Sequence, residues 1–341
     1  MDSKSLYFTG LRRVSLREES ILPPGPGQVL VQTVMSAISP GTELLIYRGQ
    51  APREMAADTS IAALTGSLAF PLKYGYAAVG RVVELGPGVA RPWQDKLVFA
   101  FQPHQELFLA SPTELLPVPP GLGPEEAVFL PNLQTAVTLV LDGKPLIGET
   151  VVVFGQGIVG LLLTALLAGF PLARLITLDR CPNRRLASEG LGAHASLDPG
   201  QPDVLAVLSA ALQGQAPDGK ADLAFEISGN PAALDQALAV TGFHGRIVIG
   251  SWYGTKTSKL HLGGSFHRQR QILRSSQVST IAPELTGRWT RDRVLATAWE
   301  MVQRCRPARF ITHRFPLAQA PRAYELLDRH PEEAIQVVLT Y

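Results

Sequence analysis

Hydroxyl and carboxyl side chains are concentrated in one short stretch, SAISPGTELLIYRG, residues 36–49, between two apolar runs. Its Pro40-Gly41 pair predicts a tight turn that would hold Ser39, Thr42 and Glu43 in a fixed arrangement. Hydroxyls can donate hydrogen bonds to a substrate oxygen, and a carboxylate can accept a proton. The stretch therefore predicts a surface that presents polar groups to a ligand. The alternative is that Ser39 and Thr42 only stabilise the turn through bonds to the backbone, and that Glu43 only pairs with a nearby arginine.

A second motif, VVVFGQGIVG, places Gly155, Gly157 and Gly160 in the spacing G-x-G-x-x-G. It follows a strand-like run and opens a helix-like one, as a dinucleotide-binding loop requires. The first glycine makes the tight turn, the second lets the backbone approach a pyrophosphate, and the third lets helix and strand pack closely. The N-terminus of the helix would offer unpaired N–H groups to the phosphates.

An acid at the end of the next strand indicates which dinucleotide is bound. Asp179 in LITLDR lies near the offset of a ribose-binding carboxylate, which accepts from the ribose hydroxyls and repels a 2′-phosphate. This favours NAD as the cofactor. The nearby Arg180, Arg184 and Arg185 could pair with a 2′-phosphate, so NADP stays open as the alternative.

These motifs lie in a chain whose pattern changes near Glu125. Before it, short β-like runs such as QVLVQTVMSAIS alternate with Gly/Pro turns, which predicts a compact β-rich domain. After it, apolar strands alternate with helices up to about residue 250, which predicts a doubly wound parallel sheet. The fold class is therefore α/β, with the last helices and a final strand, AIQVVLTY, returning to the first domain.

Composition excludes several classes of protein. Of 341 residues, 46% are hydrophobic and 18% charged, which is typical of a globular protein of two domains, and the net charge of +2 with no long basic run argues against a nucleic-acid partner. Two cysteines make no disulfide framework, and no secretory signal is visible, so a cytoplasmic location is expected. The apolar segment Val151–Phe170 could be mistaken for a membrane span, but its three clustered glycines favour strand, loop and buried helix.

Taken together, ISPGTELLIYRG, KYGYAAVGRVVELGPGV, LPNLQTAVTLV, the glycine loop, FEISGNPAALDQAL and GRIVIGS resemble the medium-chain dehydrogenase/reductase superfamily. The resemblance covers nearly the whole chain. It implies a GroES-like domain from residues 1–125 and 279–341, a Rossmann domain from 126–278, and a cleft between them for nicotinamide and a small-molecule substrate. It also implies a homodimer that pairs through a strand near RQILRSS.

The departures from the family's zinc enzymes concern the metal. Where those enzymes have a Cys-Gly-Thr/Ser-Asp turn and then Gly-His-Glu, this chain has Ser39-Pro40-Gly41-Thr42-Glu43 and Gly75-Tyr76-Ala77. Asn132 and Gln134 stand near the third ligand, and Leu45 replaces the proton-relay histidine. Because a catalytic zinc needs three protein donors, we predict no metal. The chain looks closest to a zinc-less branch that includes bacteriochlorophyllide dehydrogenase-like proteins.

The resemblance also implies roles for single residues. Thr42 matches the hydroxyl that touches substrate oxygen, Tyr76 replaces a zinc-ligand histidine, and Ser39 and Glu43 complete the predicted catalytic set. His104, which stands before a strand, is predicted to be structural. The predicted cofactor-binding residues are Gly155, Gly157, Ile158, Val159, Gly160, Asp179, Arg180, Arg184, Thr135, Ser228, Gly250 and Ser251.

Three residues are predicted to contact the substrate: Tyr47, His267 and Arg268. The last two lie in SFHRQRQILR, which is interpreted as a strand-like run that holds an anionic group, or alternatively as a solvated face or dimer rim.

The sequence thus predicts a zinc-independent oxidoreductase that transfers a hydride between NAD(H) and an alcohol/carbonyl pair. One alternative is an NADPH-dependent enoyl or quinone reductase. An alternative of another class is a nucleotide-binding sensor or scaffold that has lost catalysis.

Overall fold

A computed structural model describes residues 1–214 and 218–341 of the chain. The chain forms two compact units, one from Met1–Pro131 with Val302–Tyr341 and one from Asn132–Met301. We call these the β-rich unit and the Rossmann unit. Their boundaries fall later in the chain than the predicted ones, 126 and 279. The ion pairs of Glu284 with Lys144 and Arg274 lie within the Rossmann unit, beyond the predicted second boundary.

The strands are β1 (Asp2–Gly10), β2 (Arg13–Ser20), β3 (Val29–Ala37), β4 (Leu72–Lys73), β5 (Ala78–Leu85), β6 (Leu97–Ala100), β7 (Leu107–Ala110), β8 (Leu116–Pro117), β9 (Thr150–Phe154), β10 (Arg174–Leu178), β11 (Ala195–Leu197), β12 (Ala221–Glu226), β13 (Thr241–Ile249), β14 (Ile272–Ser275), β15 (Ile311–Pro316) and β16 (Gln336–Thr340). The α-helices are α1 (Pro40–Tyr47), α2 (Pro124–Ala127), α3 (Leu130–Gly143), α4 (Ile158–Leu167), α5 (Pro182–Gly190), α6 (Val204–Leu212), α7 (Pro231–Val240), α8 (Arg291–Cys305) and α9 (Ala320–Arg329).

The β-rich unit is built on a sheet in the order β15-β16-β3-β5-β6-β8, with β7 also paired to β3. Its core lies under β3, where Val29 and Val31 pack with Val82, Val98 and Phe108. A smaller sheet has the order β2-β1-β4. The C-terminal strand β16 pairs antiparallel with β3, so the end of the chain completes the first unit's sheet.

The Rossmann unit carries a parallel sheet in the order β11-β10-β9-β12-β13-β14. β9 is buried along its whole length and apolar after Thr150, as expected of a strand covered on both faces. From β9 the chain continues to β10 on one side and later to β12 on the other, so the strand order reverses between β9 and β12. Ligands of open α/β sheets bind at the carboxyl ends of the strands at such a reversal. The predicted fold class, α/β with a β-rich part and a parallel Rossmann-like sheet, is confirmed.

Two local predictions are wrong. Residues 40–47 form the helix α1 rather than a turn, because Pro40 occupies its first turn, where the missing N–H is not needed. The run 265–274 is strand-like only in β14. Before it the backbone is helical at His267, and Arg270 has the left-handed φ of 52°.

The apolar segment Val151–Phe170 divides into β9, the glycine loop and α4, as predicted. Within residues 1–214 and 218–341, no helix is both long and apolar enough to cross a membrane.

Candidate functional site

The polar stretch of the β-rich unit is organised around Glu43, whose side chain is fully buried. Its Oε1 accepts the backbone N–H of Ser39 at 2.7 Å, which ties the carboxylate to the start of its own helix, α1. Its Oε2 contacts Nε2 of His104 at 3.1 Å and accepts a hydrogen bond from the hydroxyl of Tyr324. A buried carboxylate is costly unless such partners surround it, and here three donors converge on it.

The hydrogen bonds of the Glu43–His104 pair extend further through Ser36. Nδ1 of His104 lies 2.6 Å from Oγ of Ser36, which lies 2.7 Å from the hydroxyl of Tyr341. One direction of donation satisfies every atom: Tyr341 donates to Ser36, Ser36 to Nδ1, and Nε2–H to Glu43. We call Ser36, Glu43, His104, Tyr324 and Tyr341 the buried polar network. His104 is thus fully buried, and its ring is held between Ser36 and Glu43.

The imidazole of His104 packs against Gly75, where a larger residue would collide with it. A Cβ at Gly75 would lie 2.7 Å from Cδ2 of the imidazole, and the residue has a φ of 119°, which L side chains rarely adopt. The same glycine leads to Tyr76, so the position of the imidazole and that of the neighbouring phenol depend on one backbone conformation.

Three hydroxyl side chains meet beside this network: those of Ser39, Thr42 and Tyr76. The phenol of Tyr76 donates to Oγ1 of Thr42 at 3.4 Å, and its ring packs edge-on against Tyr74 with centroids 6.2 Å apart. Burial raises the pKa of Tyr76, while hydrogen bonds with Ser39 and Thr42 act in the opposite direction. The side chain of Ser39 makes no capping hydrogen bond to α1, so its hydroxyl is not used to stabilise the helix start. We call these residues the hydroxyl cluster.

The hydroxyl cluster offers no ligand set for zinc. Ser39 and Tyr76 bring hydroxyls where a thiolate and an imidazole would be needed, and the nearest imidazole and carboxylate, His104 and Glu43, are already bonded to each other. Over the described residues, one group of three metal-ligand side chains is close enough to share an ion, namely His330, Glu332 and Glu333. All three are exposed and lie just after α9, away from the hydroxyl cluster in sequence. The residues present therefore do not fit a catalytic zinc.

In the Rossmann unit, the glycine loop has the geometry that its spacing predicts. Gly155 has a φ of 101°, and a Cβ there would lie 2.6 Å from Cα of Ser228. A Cβ at Gly160 would lie 2.1 Å from the carbonyl oxygen of Gly155, so α4 packs directly on the loop. At Gly157, the N-cap of α4, a Cβ would meet nothing within 4 Å. The space in front of Gly157 is open to a ligand, and Ile158 and Val159 form the first turn of α4 behind it.

Asp179 lies at the carboxyl end of β10 and turns its side chain to the same loop. Its Oδ2 accepts the backbone N–H of Gln156 at 2.7 Å, and its Oδ1 that of Cys181 at 2.8 Å. Each oxygen keeps acceptor capacity for a ribose hydroxyl. Arg185 donates to Asp198 and to two backbone carbonyls, while Arg180 is exposed and Arg184 half-buried.

The remaining predicted cofactor residues meet near the carboxyl ends of β12 and β13. Oγ of Ser251 accepts the backbone N–H of Gly229 at 2.9 Å, and Gly250 packs closely on Leu139 of α3, one turn after Thr135. Glu226, which the sequence analysis did not single out, is buried at the end of β12. It accepts from the hydroxyls of Ser228 and Tyr253, and it joins the two loops that hold Ser228 and Ser251.

The predicted substrate residues belong to different units. Tyr47, at the end of α1, lines a cavity within the β-rich unit. His267 and Arg268 are exposed on the Rossmann unit before β14. Leu45, at the position of the missing relay histidine, is buried on α1.

Comparison with known proteins relates the chain to dehydrogenases. Residues 159–290 match the zinc-binding dehydrogenase family. The chain is 27% identical to an uncharacterized zinc-type alcohol dehydrogenase-like protein of Escherichia coli K12, over 94% of each protein. It is 25% identical to D-guloside 3-dehydrogenase of the same organism, over 99% of this chain and all of the relative. These matches relate the chain to the zinc-type alcohol dehydrogenase-like part of the superfamily and support an oxidoreductase.

The fold is shared with solved structures. The short chain alcohol dehydrogenase of Escherichia coli CFT073, crystallised with NADH, superposes with a TM-score of 0.79 at 18% identity. The match covers all of this chain and 99% of that protein. At this identity the likeness concerns the fold and leaves the chemistry to the side chains.

Proposed function

We propose that the protein is a zinc-independent oxidoreductase that interconverts an alcohol and a carbonyl with NAD(H). The observation that carries the proposal is the hydroxyl cluster. In it the phenol oxygen of Tyr76 lies 3.4 Å from Oγ1 of Thr42, beside the buried Glu43–His104 pair. Hydrogen-bond donors of this kind can stabilise the charge that develops on a substrate oxygen, which is the task of zinc in related enzymes.

The hydroxyls have separate roles in this proposal. Tyr76 is the proton donor to the carbonyl oxygen in reduction, because its phenol brings an O–H group beside Oγ1 of Thr42. Thr42 orients that oxygen, and Ser39 supplies a further hydrogen bond. Glu43 and His104 are positioning residues, since the buried network occupies their polar atoms and fixes the start of α1.

NAD(H) supplies the hydride chemistry when bound, and the glycine loop and Asp179 are the residues that would hold it. The open space at Gly157 suits a pyrophosphate, and the carboxylate of Asp179 suits the two hydroxyls of a ribose. A 2′-phosphate would be repelled by that carboxylate, which favours NAD over NADP.

The substrate class that best agrees with the relatives is a polyol or sugar derivative. D-guloside 3-dehydrogenase, by its name, acts on a sugar derivative, and a cluster of hydroxyl donors suits such a substrate. The comparisons give no support to the enoyl or quinone reductase alternative. Assembly as a homodimer and a cytoplasmic location stay predictions.

The test is a turnover assay on the purified protein with polyols, sugars and glycosides, and with the corresponding ketones for the reverse reaction. NAD and NADP are compared at equal concentration. We expect turnover with a member of this panel and a larger kcat/KM with NAD. Tight binding of NADH without turnover across the panel would favour the alternative of a sensor or scaffold. Turnover confined to enones with NADPH would overturn the proposed reaction.

A further inference from the structure

A cavity of about 280 Å³ in the β-rich unit has no role in the proposed reaction. Its walls come from the turn between β1 and β2, from the end of α1 and from α9. Three arginines line it together with two acids, Tyr47, Val14 and Pro321; the charged residues are Arg12, Arg13, Arg329, Glu325 and Asp328. A volume of this size lies just below the range of drug-sized ligand pockets, about 300–1,000 Å³, and suits a smaller ligand.

Both acids of the cavity are in ion pairs, but not every arginine is. Asp328 accepts from Nε of Arg12 at 2.9 Å and from Nε of Arg48 at 2.5 Å, and Glu325 pairs with Arg329 at 2.9 Å. In the described part of the chain, Arg13 forms no ion pair, although it lines the same cavity. Its guanidinium is therefore free to bind an anion.

The second observation is the hydroxyl of Tyr47. The residue is 6% exposed and lines the cavity. Burial raises the pKa of Tyr47, and the charges of Asp328 and Glu325 act in the same direction. A phenol hydroxyl on the wall of a cavity can donate a hydrogen bond to a ligand oxygen there.

We propose that this cavity binds a small monocarboxylate. The planar guanidinium of Arg13 matches the two oxygens of a carboxylate, and Tyr47 can donate to one of them. Val14, Pro321 and the ring of Tyr47 provide an apolar wall for the rest of the ligand. The two acids disfavour a dianion, which selects a carboxylate over a phosphate. This site stands independently of the proposed oxidoreductase activity.

The proposed carboxylate site is in direct contact with the buried polar network, through Tyr47 and Tyr324. The ring of Tyr47 packs against that of Tyr324 with centroids 5.5 Å apart, and the hydroxyl of Tyr324 donates to Glu43. The backbone N–H of Arg12 also donates to the carbonyl of Tyr47 at 2.6 Å, which fixes the β1–β2 turn to the end of α1.

The test uses sodium benzoate as the probe, measured by calorimetry on the full chain in low-salt buffer, with benzyl alcohol and inorganic phosphate for comparison. We expect a Kd for benzoate on the order of 1 mM, as a ligand of this size allows. Arg13→Gln should weaken benzoate roughly tenfold, and Tyr47→Phe roughly fivefold. The matched control is Arg17→Gln, an exposed arginine on the same strand that does not line the cavity, and it should leave benzoate binding unchanged.

Several results would overturn the site. They are an absence of benzoate binding, equal weakening by Arg13→Gln and Arg17→Gln, or tighter binding of phosphate or benzyl alcohol than of benzoate. Benzoate binding that survives Arg13→Gln and is lost in Tyr76→Phe would place the anion at the hydroxyl cluster instead, and would equally reject the proposal. Thermal unfolding of each unliganded variant shows whether it folds as the parent does.

Discussion

At the scale of single residues, the chemistry depends on which hydroxyl of the cluster is held best. Tyr76 has the stiffest support, since its ring contacts Tyr74 and its phenol bonds Thr42. Thr42 lies on α1, whose start is fixed by the bond from the Ser39 N–H to Glu43. The geometry of the two oxygens therefore depends on buried groups that do not themselves meet the substrate.

Replacing Tyr76 by Phe removes the proposed proton donor and keeps the ring. We expect kcat to fall roughly 100-fold, as for the loss of one preorganised donor, with NADH binding unchanged. Steady-state kinetics and cofactor titration measure the two effects. Tyr74→Phe is the matched control, since Tyr74 is a buried neighbour with no hydrogen bond to Thr42, and it should retain activity. A Tyr76→Phe variant within threefold of the parent, roughly the factor of a weak contact, would remove Tyr76 from the proposed reaction.

At the scale of elements, the loop between β9 and α4 uses its glycines for different purposes. A Cβ at Gly157 would meet nothing within 4 Å, whereas one at Gly160 would lie 2.1 Å from the carbonyl oxygen of Gly155. Gly157→Ala should therefore leave thermal stability unchanged and weaken NADH binding at least roughly tenfold, by occupying the space for the pyrophosphate. Gly160→Ala should lower the melting temperature of the protein, in contrast to Gly157→Ala. Equal NADH affinity of Gly157→Ala and the parent would contradict this placement of the phosphates.

The small sheet β2-β1-β4 is joined by one carboxylate, Glu19. Partial burial alone would raise its pKa, but hydrogen bonds from Ser5, Tyr7 and Lys73 lower it to about 2, from an ordinary value of 4.5. Because the folded-state pKa is depressed, the stabilisation is complete above about pH 4.5 and is lost as the pH falls toward 2.

Glu19→Gln should lower the free energy of unfolding by about 2 kcal/mol at pH 7. The difference from the parent should shrink as the pH falls from 4.5 toward 2. Urea unfolding at several pH values measures it, and Glu18→Gln, on the exposed face of the same strand, is the matched control. A difference that does not change with pH would show that Glu19 acts through its shape rather than its charge.

Local spacing explains which parts of the site the sequence could predict. The glycine loop and Asp179 depend on contacts between consecutive elements, so the motif and its offset determine them. The buried polar network depends on partners up to 305 positions apart, such as Ser36 and Tyr341, which no local pattern reveals. The β1–β2 hairpin was likewise not predicted. Its turn places Arg12, and not a glycine, at a φ of 51°.

At the scale of the whole molecule, the chain combines a nucleotide-binding sheet related to zinc dehydrogenases with a β-rich unit whose hydroxyl cluster offers no ligand set for zinc. The match to zinc-binding dehydrogenases and the hydroxyl cluster are compatible because they belong to different units. The zinc-binding dehydrogenase match covers residues 159–290, which lie within the Rossmann unit. The hydroxyl cluster and the buried polar network lie in the β-rich unit, outside that match.

We therefore expect activity that does not depend on zinc. Metal analysis of the purified protein should find less than stoichiometric zinc, and treatment with a chelator should leave kcat unchanged, because Ser39, Tyr76 and the bonded Glu43–His104 pair supply no three-donor set. The exposed group of His330, Glu332 and Glu333 could hold zinc adventitiously. His330→Gln is the control for it, and should remove any such zinc without changing activity. Stoichiometric zinc that persists in His330→Gln, with activity lost to the chelator and restored by added zinc, would overturn the zinc-independent reaction and return the hydroxyl cluster to a supporting role.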